Sequence, residues 1–278
     1  MGTAVIAPSG AGAGGESVSQ ARRNFLALNG SPSVSVVIPA MNEEKNLPHV
    51  LPRIPSWVGE IILVDGNSHD ATVAVARRLI PDIIVVNQDR PGKGAALRCG
   101  FAAAKGDIIV MLDADGSTDP AEIPAFVGAL LSGADFVKGS RFVQGGGTDD
   151  MEWYRRFGNW GFVKLVTLRF GGQFTDLCYG YNAFWRDVLQ NMSIERDDGF
   201  EIETSMNVQA LRAKLNVIEV ASREHRRVNG KSNLRSIPDG WRVLSKILQL
   251  GVSKPALQVT MRPHHGVGVA QRRFGASE

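Results

Sequence analysis

Gly106-Asp107-Ile108-Ile109-Val110-Met111-Leu112-Asp113-Ala114-Asp115-Gly116-Ser117-Thr118-Asp119-Pro120 is the stretch that decides the fold. The apolar run Ile108 to Leu112 reads as a short strand buried on both faces. It runs into three carboxylates, Asp113, Asp115 and Asp119. Gly116 lets the backbone turn sharply between them, and Asp119-Pro120 reads as a helix N-cap followed by proline at the first helical position. In open α/β sheets ligands bind beyond the carboxyl ends of the strands. Acids gathered there repel one another unless a cation or hydrogen-bond donors compensate. Such hard oxygen ligands suit Mg²⁺ or Mn²⁺, with a phosphate completing the shell. Taken alone, Asp-x-Asp has a plainer reading as a polar turn with an Asp cap.

Outward from that strand the chain alternates. Strands are predicted at Ser35–Pro39, Glu60–Val64, Ile83–Val86 and Phe136–Lys138. The helices between and after them are Glu43–Leu51, interrupted by prolines, Ala71–Leu79 with Asp70 as its cap, Gly94–Ala104 and Pro120–Leu131. Repeated strand–helix units of this length imply a doubly wound, mainly parallel sheet with helices on both faces. Past Gly139 the pattern is less regular. Gly145-Gly146-Gly147 reads as a flexible loop, Trp153–Phe170 as an aromatic-rich helix and Thr175–Ala183 as loop or short strand. Ile202–Ala213 is read as a helix, Asn216–Val220 as a strand, Arg223–Asn233 as a basic loop and Ile237–Leu250 as an amphipathic helix. This irregular C-terminal half continues the same domain on one side of a cleft.

At 278 residues the chain can bury a sizeable core, and 44% apolar with 21% charged residues is ordinary for a globular domain. A net charge of +3 is too small to argue for nucleic acid. Cys99 and Cys178 lack metal-ligand spacing, and Cys99, in a helical pattern, is expected to be a buried free thiol. Residues 1–32, rich in Gly, Ala and Ser, read as a disordered leader without the features of a signal peptide. Residues 33–250 form the domain, and 251–278 read as a flexible basic tail. No stretch is apolar for the ~18–20 residues a membrane span needs. The expected location is cytoplasmic, with peripheral contact to the inner face of a membrane left open.

Three strand ends carry acids: Asn42-Glu43-Glu44 after the first, Asp65 with Asp70 after the second, and Asp113-Ala114-Asp115 after the fourth. All fall on one rim of one sheet. The Gly-x-Gly-x-x-Gly of a dinucleotide site is absent after the first strand. Gly92-Lys93-Gly94-Ala95-Ala96-Leu97 follows a later strand and ends in leucine, and no Walker-type loop exists.

With these residues in view, the chain from about Ser33 to Leu250 resembles a family 2 glycosyltransferase of GT-A fold. It is most similar to the dolichyl-phosphate mannosyl- and glucosyltransferase group. The matching residues run in order: Val36–Glu44, Ile62–Asp70, Gly92–Ala96, Leu112–Ser117, Gly139–Phe142, Thr175-Asp176 with Gly180–Phe184, and Arg227–Ser232.

The resemblance implies roles. Pro39, Ala40, Asn42 and Glu43, with Asp65, hold the nucleoside, the carboxylates accepting from base N–H groups and ribose hydroxyls. Asp113, with Ala114 beside it, faces the ribose and the metal, and Asp115 ligates the Mg²⁺ or Mn²⁺ that bridges the two phosphates and eases their departure. Relatives often carry glutamine where Ser117 stands. Lys93 adds charge near the phosphates, or is a solvated lysine at a helix start. Arg227, in Arg-x-x-Gly-x-Ser, contacts the diphosphate, with Arg226 and Lys231 beside it on a loop able to close. His225 is a candidate further metal ligand, although a lone His is more often structural.

On the acceptor side Asp176, Glu201 and Glu203 are candidate carboxylates. A hydroxyl acceptor needs one of them as base, with Asp176 or Glu201 the best placed. A lipid phosphate is already an anion and needs none, but needs cations to approach the donor, for which Arg141, Arg226 and Lys231 are candidates. Trp153, Tyr154, Trp160, Tyr179 and Tyr181 are read mainly as core or rim packing. Ile237, Trp241, Leu244 and Leu248 make one helix face, for which packing on the core is favoured over lying on an anionic membrane. The expected activity is inverting, metal-dependent transfer of a hexose from a UDP- or GDP-sugar to a polyprenyl phosphate. The alternatives are the same chemistry with a soluble hydroxyl acceptor, or a non-catalytic sugar-nucleotide-binding module. The sequence leaves the oligomeric state open.

Overall fold

The computed structural model describes residues 4–5, 30–194, 196–230 and 234–252. The leader and the tail therefore lie almost wholly outside the described residues; within the leader, Ala4–Val5 forms a two-residue strand, β1. The first half alternates as expected: β2 (Val34–Ala40), α1 (Leu47–Val50), β3 (Glu60–Asp65), α2 (Thr72–Leu79), β4 (Ile84–Asn87), α3 (Lys93–Ala103), β5 (Ile108–Met111), α4 (Ile123–Leu131) and β6 (Phe136–Ser140). The second half adds β7 (Gly147–Thr148), α5 (Trp153–Phe170), β8 (Asn182–Trp185), α6 (Glu201–Arg212), β9 (Val217–Ala221), β10 (Arg223–Glu224) and α7 (Ser236–Val252).

One sheet has the order β1-β9-β6-β8-β5-β2-β3-β4. β2 pairs in parallel with β3 and β5, β3 with β4, and β6 with β9. β8 is inserted antiparallel between β5 and β6, and β1 runs antiparallel to β9. The mainly parallel α/β architecture read from the alternation is thus present, with the GT-A-like arrangement that the resemblance implies. β5 is buried along its whole length, as are Val36, Val37 and Ile38 of β2, which is why these segments are continuous apolar runs rather than alternating ones.

Local chemistry explains most boundaries. Asp119 accepts from the Ala121 amide at 2.8 Å with Pro120 behind it, opening a 3₁₀ turn, Pro120–Glu122, that leads into α4. Asp70 accepts from the Thr72 amide at 2.9 Å at the start of α2. The helix expected over Glu43–Leu51 is only a four-residue α-helix and a 3₁₀ turn, Leu51–Arg53. Pro48 and Pro52 each fall in a first turn and cannot donate further back, so neither segment extends into the other as one helix.

Two further expectations change, and the reading of Thr175–Ala183 as loop or short strand is made definite. The triple glycine is not a free loop: Gly147-Thr148 pairs in parallel with Arg223-Glu224 as a second small sheet. The Thr175–Ala183 segment becomes a strand only at Asn182, all four residues of β8 being buried. The α7 stripe favoured for the core points the other way. Val243, Ile247 and Leu250 are buried, whereas Ile237, Trp241 and Leu248 are exposed. Cys99 and Cys178 are free and partly buried, and burial pushes the Cys178 thiol up to about 12, so it stays protonated at neutral pH.

Candidate active site

The antiparallel insertion of β8 builds the site. Met111 at the end of β5 is opposite Asn182 at the start of β8, so the residues entering β8 arrive where β5 releases Asp113. Gly180 lies there. A Cβ on it would stand 2.6 Å from Glu203 Oε1, 2.8 Å from Lys93 Nζ and 3.2 Å from Asp113 Oδ2, so a side chain at that point would displace these charged ends.

Those three neighbours form one charge cluster. Lys93 Nζ is 2.6 Å from Asp113 Oδ1 and 2.7 Å from Glu203 Oε1. Burial alone would lower the Lys93 pKa, but the two carboxylates override it and raise it, so the ammonium is charged throughout the neutral range. Lys93 is therefore no solvated helix-start lysine. Glu203, in the first turn of α6 where the helix dipole favours an acid, completes the cluster from far along the chain.

A second cluster lies on the same rim. Arg227 Nη2 is 3.0 Å from Asp115 Oδ2, and its Nη1 is 2.9 Å from Glu43 Oε1. Asp115 Oδ1 accepts from the Ser117 amide at 2.9 Å and hydroxyl at 2.7 Å. The basic loop is fastened by its backbone: the His225 amide donates to Ser117 O at 2.8 Å, and the Val228 amide to Asp115 O at 3.2 Å. Asn229 and Asn46 bond to each other, and Asn46 also donates to Glu43. Lys231 lies outside the described residues.

The nucleoside side is organised by loop-to-loop bonds. Asn42, at φ 59°, accepts from the His69 amide at 2.8 Å through its side chain, and its amide donates to the Ser68 hydroxyl at 3.0 Å. Asn42 thus joins the β2 and β3 loops rather than presenting its Oδ1 to a ligand. Asp65 is buried and accepts from the Ser68 amide at 3.2 Å. Pro39 and Ala40 end β2 beside Val64 and Asp65.

Other expected residues are placed elsewhere. Asp119 pairs with Arg53 at 2.7 Å besides capping its helix, so the third acid of the opening stretch is structural. The His225 ring has its Nδ1 3.5 Å from Asp149 Oδ2. Asp176 is fully buried under Arg141, with Nε–Oδ2 at 2.7 Å and Nη2–Oδ1 at 2.9 Å. Arg141 also binds Glu224 at 3.0 Å. Burial would raise the Asp176 carboxyl, and the guanidinium overrides it and holds it below the usual carboxylate range. Both members of that pair are buried and bonded to each other, so in this arrangement the Asp176 carboxylate is occupied by Arg141, and the Arg141 guanidinium by Asp176 and Glu224. Tyr179 and Tyr181 are buried, whereas Trp153, Tyr154 and Trp160 are exposed.

Glu201 differs from Asp176. Its Oε1 accepts from the Gly199 amide at 2.9 Å, and its buried Oε2 has no hydrogen-bond partner among the described residues. It lines a pocket of about 280 Å³ with Pro91, Gly92, Asp198, Gly199 and Arg242. An unpaired buried carboxylate oxygen costs free energy unless a ligand or proton completes it.

Among the described residues no three His, Cys, Asp or Glu side chains converge as a ready metal cage. Asp113 and Asp115 nevertheless fit a Mg²⁺ or Mn²⁺ site of the kind completed by phosphates. They supply two hard oxygen donors at one strand end, each facing an internal cation that an arriving ion and diphosphate would replace or rearrange.

Against this geometry the comparisons are consistent. The family model described as Glycosyl transferase family 2 matches residues 35–193. An uncharacterized glycosyltransferase of Mycobacterium bovis is 33% identical over 77% of this chain and 98% of its own. Polyprenol monophosphomannose synthase of Mycolicibacterium smegmatis is 32% identical over 66% of this chain and 74% of its own. Among solved structures, glucosyl-3-phosphoglycerate synthase from Mycobacterium tuberculosis, in complex with Mn²⁺ and UDP-glucose, is similar at TM-score 0.63 and 25% identity, covering 84% of each chain.

Proposed function

Because the chain belongs to glycosyl transferase family 2, we propose that it transfers a hexose, with inversion, from a nucleotide diphosphate sugar to a polyprenyl phosphate. The observation that carries this reading is the pairing of Asp115 and Glu43 through Arg227 beside the Lys93–Asp113–Glu203 cluster. Cations and carboxylates alternate along one rim, the arrangement a diphosphate and its metal need. The names of relatives such as polyprenol monophosphomannose synthase support the acceptor.

Glu43 and Asp65 take the nucleoside, and Asp113 fixes the ribose end of the diphosphate. Asp113 and Asp115 would hold Mg²⁺ or Mn²⁺, which supplies Lewis-acid neutralisation of the leaving diphosphate. Arg227 turns from Asp115 to the phosphate oxygens, a fork suited to them. Lys93, held by Glu203, keeps Asp113 in place and adds positive charge behind it. An acceptor phosphate oxygen attacks the anomeric carbon from the face opposite the diphosphate. The bond to the diphosphate breaks, and the nucleotide diphosphate leaves with the electron pair. No base is required, because the attacking oxygen is already anionic.

A second reading, with a soluble hydroxyl acceptor, is favoured by one observation. The unpaired Glu201 Oε2 lines a pocket and would serve as base there. The likeness to glucosyl-3-phosphoglycerate synthase points the same way. A non-catalytic sugar-nucleotide module would be expected to lack an acid at a strand end, and none is missing. The test is incubation with UDP- and GDP-sugars and a short-chain polyprenyl phosphate, with Mn²⁺ or with EDTA. Metal-dependent formation of a sugar–lipid phosphate is the expected product. Donor turnover only with a hydroxyl acceptor selects the second reading, and protection of the protein against heating by a nucleotide sugar without any transfer selects the third.

A further inference from the structure

α5 spans 18 residues, yet only Asn159 and Val166 on it are buried. Trp153, Phe157, Trp160 and Leu168 recur at helical spacing along its outer side, with Trp153 80% and Leu168 87% exposed. α7 packs on α5 and shows the same division. Val243, Ile247 and Leu250 face inward, while Ile237, Trp241, Leu248 and Val252 are exposed. The helices meet near their C-terminal ends, where Gly251 lies against the Arg169 side chain, and each exposes its stripe opposite its own buried residues. Three of the five tryptophans of the chain, Trp153, Trp160 and Trp241, are exposed here. Scattered apolar residues on a surface are ordinary, whereas exposed aromatic stripes on two helices that pack together call for an occupant.

Charge selects the occupant. α5 carries Arg155, Arg156, Lys164 and Arg169 and no acid. α7 adds the exposed Arg242; its Lys246 is mostly buried in an ion pair with Asp197, and its single acid, Asp239, is buried and bonded to the Arg235 amide and to Arg242. A second copy of this surface would bring like charge against like. Residues 253–278, with Lys254, Arg262, Arg272 and Arg273 against Glu278 alone, have the same sign. A surface of anionic lipid headgroups over an acyl interior satisfies both features, since tryptophans settle at that boundary and basic residues pair with the headgroups.

We infer that the outer face of α5 and α7 docks on an anionic lipid surface. The described domain then lies on the membrane surface; no described helix is long and apolar enough to span one. Arg242 is adjacent to Trp241 and lines the pocket that Glu201 enters, so docking brings that pocket toward headgroup level. Only this last step rests on the polyprenyl phosphate reading.

The test is flotation of the full chain with vesicles of phosphatidylcholine alone or mixed with phosphatidylglycerol, free of any polyprenyl phosphate. The expected result is binding to the mixed vesicles, a blue shift of tryptophan emission and release by high salt. Trp153→Ser combined with Trp241→Ser should weaken binding on the order of tenfold or more, with the melting temperature and nucleotide-sugar affinity unchanged. Lys164→Glu should weaken binding to the mixed vesicles in the same way. No binding at low salt overturns the inference, as does equal binding to neutral vesicles. So does a dimer in sedimentation that the tryptophan double variant dissociates. Because the vesicles carry no acceptor, failure of the acceptor reading leaves the expected binding intact.

Discussion

Arg227 Nη2 lies 3.0 Å from Asp115 Oδ2, so the cation expected on the diphosphate is paired with the carboxylate expected to hold the metal. The guanidinium substitutes for the charge of the ion, which keeps Asp115 and Glu43 from repelling across the cleft. Arg227→Ala should therefore act in two directions. Affinity for the nucleotide diphosphate with Mn²⁺ should fall about tenfold or more, the worth of a charge-assisted contact, while nucleoside affinity hardly changes. Mn²⁺ alone should bind no worse, because its competitor for Asp115 is gone. Isothermal titration with each ligand measures all three, and a parallel loss for nucleoside and diphosphate would reduce the loop to a structural role.

Asp115→Asn tests the metal. The residue is only partly buried at the rim, so the melting temperature should change little. Mn²⁺-dependent donor binding should disappear, because an amide neither neutralises the ion nor matches a carboxylate as its ligand. Turnover that survives this substitution, or full wild-type activity in excess EDTA, would remove metal catalysis from the proposal.

Asp176 is expected to matter for stability rather than proton transfer. Removing one member of a buried ion pair leaves the other charged and unpaired, typically a loss of about 3–5 kcal/mol. Asp176→Asn should lower the unfolding free energy, read from denaturant titration, by an amount in that range. The pH dependence follows from the lowered carboxyl. A group whose folded pKa is depressed contributes stability that is present above its unfolded value. That stability is lost as pH falls through the folded one. Wild type should therefore lose stability on acidification below about pH 4, and the Asn variant should show less of that loss. A variant that is fully stable but inactive would return Asp176 to catalysis.

The parts of this protein that were legible in the sequence are those coded locally. The apolar run before Asp113, the cap at Asp119-Pro120 and the acids at successive strand ends each follow from neighbours in the chain, and the structure places them on one rim. Contacts between distant segments were not legible. Glu203 reaches Lys93 only because β8 runs antiparallel between β5 and β6 and delivers Gly180, with no side chain, into the gap. Nothing near Asp176 signals that Arg141 will bury it, and nothing near His225 signals Asp149. The α7 stripe was misassigned for a related reason. Ile237-Trp241-Leu248 and Val243-Ile247-Leu250 are both apolar at helical spacing, and periodicity alone does not say which meets the core.

Glu201 separates the two acceptor classes. Its Oε2 is buried without a partner and lines a pocket with Arg242, so it is the acid best placed to take a proton, whereas Asp176 and Glu203 are already paired with cations. Loss of an essential base typically removes ~10²–10⁴-fold in rate. With a polyprenyl phosphate acceptor the nucleophile carries its own charge, and Glu201→Gln should leave substantial turnover, within about tenfold of wild type. The corresponding free polyprenol should accept no sugar from either protein. Single-turnover rates with saturating donor and Mn²⁺ measure the chemical step for both acceptors. If polyprenyl phosphate is inert and Glu201→Gln costs the full factor with a soluble hydroxyl acceptor, the pocket beside Arg242 binds that hydroxyl compound, and Glu201 is its base.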